Sequence, residues 1–290
     1  MSWRTVVVSN SAKLDYSMGY LVIRKNDVVR IHLGEIYMLL IESTAVSLTA
    51  ALLSELTKKK IKVVFCDEKR NPSSELTPYY GAFDTSAKIQ KQINWSDEVR
   101  GTVWTEIVSE KIRKQAEHLL YYGKQEADML YGYVNEMEFE DATNREGHAA
   151  KVYFNALFGM DFTRTAESSV NAALNYGYSV LLSCFTREIV ANGYLTQLGL
   201  FHDNMFNQFN LASDLMEPFR PMVDYIVKKN MPQKFESEEK YMMLQMLQWD
   251  VKMAGKTEIL TNAIKIYCRS VFDALNDHDT SLIKFYKYEL

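Results

Sequence analysis

Asp67-Glu68-Lys69-Arg70-Asn71-Pro72-Ser73-Ser74-Glu75-Leu76-Thr77-Pro78-Tyr79-Tyr80-Gly81-Ala82-Phe83-Asp84-Thr85-Ser86 divides the chain into two textures. Its prolines, serines and glycine are loop or linker chemistry. Before it the sequence reads as short strands. Thr5-Val6-Val7-Val8 is an apolar run, Tyr20–Arg24 and Val28–His32 flank the polar turn Lys25-Asn26-Asp27, and Met38-Leu39-Leu40-Ile41 is a further aliphatic segment. Ser47 to Lys60 carries Leu48, Leu52, Leu53 and Leu56 at helical spacing, and Lys62–Cys66 returns to strand. From about Lys88 onward helical periodicity dominates, with Val103, Ile107, Ile112, Leu119 and Leu120, and later Val170, Ala173, Leu174, Leu181, Phe185 and Ile189. The expected fold class is α+β: a small N-terminal β domain with one helix over residues 1–78, a linker at 79–88, and a larger all-helical domain over 89–290.

The chain has 290 residues, 47% hydrophobic and 24% charged, enough for a large core. Five prolines and 12 glycines leave no room for long low-complexity tracts. Cys66, Cys184 and Cys268 lie far apart among apolar neighbours, which suggests buried thiols in a reducing cytoplasm. Neither a secretory signal nor an apolar run long enough for a membrane span is visible, so a cytoplasmic location and no membrane partner are expected. A net charge of −4 argues mildly against nucleic acid. Local basic patches nevertheless exist at Lys58-Lys59-Lys60 with Lys62, Arg113-Lys114, Arg145 with Lys151, and Lys228-Lys229, each of which alone also reads as a solvated face.

Separated stretches of the second half carry acid and imidazole groups: Glu146 in Asn144-Arg145-Glu146-Gly147-His148, His202 in Gly199-Leu200-Phe201-His202-Asp203-Asn204, and Glu217 in Asp214-Leu215-Met216-Glu217-Pro218-Phe219-Arg220. Asn144 or Thr143 is a plausible N-cap that places Glu146 in a first helical turn, where the helix dipole alone favours a glutamate. Asp214 and Glu217 are three apart and share a helix face, reading either as paired acids around a cation or as a solvated face before Pro218. His202, at a loop-to-helix junction, reads as a ligand or as a structural histidine. Two carboxylates and an imidazole without a nearby cysteine suit Mg2+ or Mn2+ better than Zn2+, and such a set can drive phosphoryl transfer. His148 is an alternative imidazole, but residues two apart on a helix do not share a face with Glu146.

These stretches resemble the ligand motifs of the CRISPR-associated Cas1 integrase family, most closely its type II branch. The resemblance runs from Trp3 to about Asn230. It includes Trp3–Val8, Lys13–Tyr16, Phe65–Arg70, Tyr80-Gly81, Asn94-Trp95-Ser96, Asn171–Tyr178 and Phe206–Asn210 leading to Glu217. It implies a β domain used for homodimerisation, a helical catalytic domain, and assembly with a small companion protein, Cas2. The implied reaction is insertion of captured DNA into a CRISPR repeat by attack of a 3′-hydroxyl, with nuclease activity on branched DNA. Glu146, His202 and Glu217 map onto the family's metal ligands for Mg2+ or Mn2+ and are the catalytic candidates, with Asp214 as an outer carboxylate. Arg145, Lys151, Asn175 and Tyr176 are DNA-contact candidates, although a salt bridge for the cations and packing for Asn175 and Tyr176 stand beside that role. The family pattern has basic residues after Tyr80-Gly81 and before the ligand histidine, where this chain has Ala82-Phe83 and Phe201, with Asp203 following. Basic contacts to substrate are therefore fewer or lie elsewhere. A DNA-holding scaffold subunit without catalysis is the alternative from a different class. A small-molecule phosphohydrolase is disfavoured, because no nucleotide-binding glycine loop is present.

Overall fold

The computed structural model describes residues 3–79 and 81–288, so Tyr80 of the Tyr80-Gly81 motif lies outside the described residues. The chain separates into two compact units, Met1–Phe83 with Val190–Gly193, and Asp84–Ile189 with Tyr194–Leu290.

The first unit contains β1 (Arg4–Val8), β2 (Ala12–Ser17), β3 (Tyr20–Arg24), β4 (Val28–His32), β5 (Ile36–Ile41), β6 (Val46–Leu48), α1 (Ala50–Lys58), β7 (Lys62–Cys66) and β8 (Pro72–Leu76). The expected hairpin forms: β3 and β4 pair antiparallel from Tyr20↔His32 to Arg24↔Val28 across the Lys25-Asn26-Asp27 turn. The strands make not one sheet but two, ordered β1-β5-β7-β8 and β4-β3-β2-β6. β5 pairs in parallel with β1 and β7 and is buried along its whole length, which is why it reads as an unbroken aliphatic run. Leu14, Leu21, Leu39, Leu52, Leu56 and Val63 sit in the core between sheets and helix. The dividing stretch is not loop throughout. Pro72–Leu76 pairs antiparallel with β7 at the edge of its sheet, where a proline at the first strand position costs no ladder bond.

The second unit is built on α2 (Thr85–Ile93), α3 (Asp97–Tyr121), α4 (Glu126–Asn135), α5 (Arg145–Phe158), α6 (Ser169–Ala191), α7 (Asn210–Leu215), α8 (Arg220–Asn230) and α9 (Ser237–Gln245). It closes with β9 (Asp250–Met253), β10 (Lys256–Ile259), α10 (Leu260–Asp277) and β11 (Tyr286–Lys287), whose strands form a small sheet ordered β10-β9-β11 that helical periodicity does not announce. Ser96 caps α3, its hydroxyl accepting from the Val99 amide at 3.3 Å. α3 packs against α4, α5, α7, α8 and α10. Val103, Ile107, Ile112 and Leu119 are fully buried, whereas Leu120, on the same expected stripe, is 53% exposed. Ala149, Tyr153 and Leu157 of α5 pack on Ile112, Ala116 and Leu119 of α3. That contact brings the first turn of α5 up to the middle of α3. Cys66, Cys184 and Cys268 are all buried.

Candidate functional site

Glu146 stands in the first turn of α5, but the helix is not capped as the sequence suggests. Asn144 occupies the N-cap position in a left-handed conformation (φ 53°) without a side-chain cap bond. The buried Asp141 replaces it, its carboxylate accepting from the Arg145 amide at 2.6 Å and the Glu146 amide at 3.0 Å. This fixes the backbone that carries Glu146.

Asp214 and Glu217 do not serve one shared face. α7 ends at Leu215, and Glu217–Phe219 form a tight 3-10 turn with Pro218 near its start before α8 begins. The change of pitch turns the two acids to different partners. Asp214 is fully buried, and its carboxylate accepts from the amides of Leu200 (2.6 Å), Phe201 (3.1 Å) and His202 (3.3 Å) and from His202 Nδ1. Gly199 makes room for this carboxylate: a Cβ there would meet the His202 carbonyl at 2.3 Å and Asp214 Oδ2 at 2.8 Å. An ionised carboxylate only accepts, so His202 Nδ1 carries the proton and Nε2 keeps its lone pair in the neutral ring. The hydrogen bond to Asp214 raises the His202 pKa above its ordinary 6.5, against the opposing effect of burial. Trp104 of α3 backs the ring edge-on at 5.8 Å and stacks on Phe201 at 4.7 Å.

Glu217 is buried, and Arg220 Nε donates to its Oε1 at 2.8 Å. Burial works to raise its carboxyl pKa, but the charges of Arg220 and Lys111 outweigh that and hold it below the ordinary value. Lys111, from the middle of α3, places its ammonium against both Glu146 Oε1 and Glu217 Oε2. Sequence reading missed this residue, and the only signal for it is a lysine on the buried stripe of α3. Burial opposes its charge, yet the two glutamates raise its pKa. Glu217 Oε2 is buried against this ammonium.

Glu146, Glu217, Lys111, Arg164, Tyr178, Arg220 and Asp224 line a cavity of about 240 Å³. Arg164 is held by Asn171 Oδ1 (2.5 Å) and Asn175 Oδ1 (2.7 Å), so its guanidinium has neutral hydrogen-bond partners. Arg164 and Arg220 both stack on Tyr178, at 5.4 and 4.8 Å from the ring centre. Behind them, Asp224 accepts from Tyr178, and the Tyr153 hydroxyl bonds to Asp224 and lies 2.6 Å from His118 Nδ1.

Among the described residues, no three His, Cys, Asp or Glu side chains converge closely enough to hold a metal ion. The structure brings Glu146 and Glu217 together on one cation. The His202 ring is near enough for its pKa to be raised by both their charges. By type, two carboxylates and an imidazole are donors that suit a hard divalent cation, but in this structure Lys111 stands between the two carboxylates. Of the DNA-contact candidates, Arg145 is tied to Glu136 at 2.8 Å and rests on Tyr133, and Lys151 is exposed on α5. Asn175 acts through Arg164, and Tyr176 is 3% exposed and packed on Phe235. His148 is directed to Tyr133. The Arg113-Lys114 patch is matched by Glu110 and Glu117. The cations facing the cavity come from Lys111, Arg164 and Arg220 instead.

A β unit followed by a helical unit whose paired acids meet a buried lysine at a cation-lined cavity defines a two-domain α+β protein with a charged pocket. The comparisons specify it further. A family model described as CRISPR associated protein Cas1 matches residues 5–248. The CRISPR-associated endonuclease Cas1 of Neisseria meningitidis serogroup C (strain 8013) is 38% identical over 230 residues, covering 78% of this chain and 75% of the relative. The chain belongs to the Cas1 family. Its fold is similar to that of a casposase bound to integration product (TM-score 0.77, 17% identity, 96% of this chain and 92% of that one). It is also similar to a chain of a Cas6-RT-Cas1–Cas2 complex (TM-score 0.75, 17% identity, 99% of this chain and 36% of that one). Among the described residues, no helix is long and apolar enough to cross a membrane.

Proposed function

We propose that the chain is a metal-dependent DNA integrase and endonuclease of CRISPR spacer acquisition, of the type II branch. In this reading it inserts captured DNA into a repeat array by 3′-hydroxyl transesterification. The observation that most supports this is the convergence of Glu146 and Glu217 on one cation near a histidine whose Nδ1 is taken by Asp214. Glu146, Glu217 and His202 Nε2 would hold Mg2+ or Mn2+, which when bound would polarise the phosphodiester and acidify the attacking hydroxyl. Asp214 keeps the imidazole in the tautomer with a free Nε2 and fixes its orientation. Arg164 and Arg220, steadied by Asn171, Asn175 and Glu217, offer guanidinium groups to a phosphate in the cavity and to the charge that builds on it.

The partners proposed are DNA, a Cas2 companion and a second copy of the chain in the cytoplasm. Residues 1–78 would form the dimerisation domain, 79–88 the linker and 89–290 the catalytic domain. The casposase bound to product and the Cas1–Cas2 complex support the DNA and Cas2 assignments. The dimer is supported by edge strand β4, which leaves Val28 54% and Val29 50% exposed.

A second reading, a DNA-holding scaffold subunit without catalysis, is favoured by one observation: Lys111 already bridges both carboxylates. Strand transfer into a repeat-bearing plasmid, with and without Cas2 and Mn2+, separates the two. The integrase reading expects transfer that needs the metal and is abolished by Glu146→Ala, His202→Ala or Glu217→Ala in folded protein. Near wild-type transfer by any one variant removes that residue from the site. DNA binding without transfer under any metal condition selects the scaffold.

A further inference from the structure

A divalent cation held by Glu146 and Glu217 must displace a cation that is already there. Lys111 has only 8% of its side chain exposed, and among the described residues the counter-charges at its Nζ are these two carboxylates. A buried ammonium needs compensating charge, and two facing carboxylates repel unless a cation lies between them. Lys111 therefore satisfies the site in the absence of metal. Arg220 donates to Glu217 Oε1 and leaves Oε2 to Lys111. A divalent cation that displaces Lys111 breaks its hydrogen bond to Glu146 Oε1 and its contact with Glu217 Oε2, and replaces both with a doubly charged partner for the two carboxylates. The space beside Lys111 is the cavity it shares with Arg164 and Arg220, where a displaced ammonium would remain near the site.

We propose that Lys111 is an intramolecular counter-ion that holds the cation position between Glu146 and Glu217, so that a divalent metal binds only by displacing it into the adjoining cavity. The inference rests on the metal-site reading of Glu146, His202 and Glu217 and adds a competitor to it. Metal entry then strips Lys111 of its counter-charge, and an anion in the cavity, such as a DNA phosphate, restores it. The site is held in a resting state when metal is scarce or substrate is absent.

The test is direct Mn2+ binding to the full chain, followed by the electron paramagnetic resonance signal of free Mn2+ and independent of any reaction. Lys111→Met keeps much of the length and removes the charge. It should tighten Mn2+ binding on the order of tenfold, within the range usual for coupled sites. Lys111→Arg keeps the charge and can bridge carboxylates with a planar fork, so it should weaken Mn2+ binding several-fold. Equal or weaker binding by a folded Lys111→Met protein overturns the proposal. Should that variant fail to fold, Lys111→Arg decides alone, and an affinity unchanged or tighter than wild type overturns it. Mn2+ bound equally by wild type and Lys111→Met removes only the role of Lys111. Failure of both to bind Mn2+ removes the metal site itself, and the inference with it.

Discussion

Asp214 shows how the count of acceptor lone pairs, more than charge, sets a residue's importance. Sequence spacing puts it on one helix face with Glu217, and the family resemblance makes it an outer carboxylate. In the fold it takes backbone donors from Leu200, Phe201 and His202 and the imidazole Nδ1, using both oxygens. Asparagine has one acceptor oxygen and would turn an amide group toward these donors. Asp214→Asn should therefore be nearly as damaging as Asp214→Ala, each costing on the order of 3 kcal/mol because buried donors lose a charged partner. Thermal melts and strand-transfer rates check this, and an Asp214→Asn protein with wild-type stability would contradict the acceptor count. Asp224 gives the opposite case. Burial raises its pKa from 3.8 to about 6 in spite of the Tyr178 and Tyr153 hydroxyls. The folded state thus holds a proton that the unfolded state releases, and this stabilisation is present below pH 3.8 and lost as pH rises through about 6. The displacement corresponds to at most roughly 3 kcal/mol. Asp224→Asn is neutral at every pH, so its melting temperature relative to wild type should climb between pH 4 and 7. A gap independent of pH would mean that Asp224 is ionised throughout.

At the scale of elements, legibility followed how local the cause was. The β3–β4 hairpin was readable because its polar turn and apolar flanks are contiguous. β8 was not, since Pro72, Ser73 and Ser74 read as loop and only pairing with β7 makes them strand. The ligand motifs could be located on their segments, but Lys111 could not. It lies 35 residues from Glu146 and meets it only because α5 docks on α3. The cap of α5 was legible in kind but not in identity. A reader of the sequence looks to the residue just before the helix, whereas Asp141 reaches its amides from an irregular turn with positive φ at Glu140, Asp141 and Asn144. Asp141→Ala should cost about 1–2 kcal/mol and loosen Glu146. Asn144→Gly should be tolerated, since the side chain makes no cap bond and glycine accepts a left-handed backbone. Equal losses from both would restore Asn144 as the cap.

For the whole molecule, a net charge of −4 opposes association with DNA at long range, and the positive groups that face the cavity are few. Of the basic patches visible in the sequence, Lys114 is spent on Glu110 and Glu117, Lys62 on Glu75, and Arg145 on Glu136. Arg164 differs, because its side-chain hydrogen bonds go to asparagines and, among the described residues, it is not tied up in an ion pair with a glutamate. Duplex binding by the wild-type chain should still weaken steeply with salt, since each phosphate neutralised contributes about −0.9 to the slope of log affinity against log salt. Arg164→Gln should flatten that slope by about 0.9 if the guanidinium makes one such contact, while leaving the remainder in place. Asn175→Ala should weaken binding in the wild-type background and add little in Arg164→Gln, because its effect runs through the arginine it holds. Fluorescence anisotropy over a salt series measures all of these. An unchanged slope in Arg164→Gln would mean that the cavity does not receive DNA phosphate, and equal losses from Asn175→Ala in both backgrounds would give the asparagine a contact of its own.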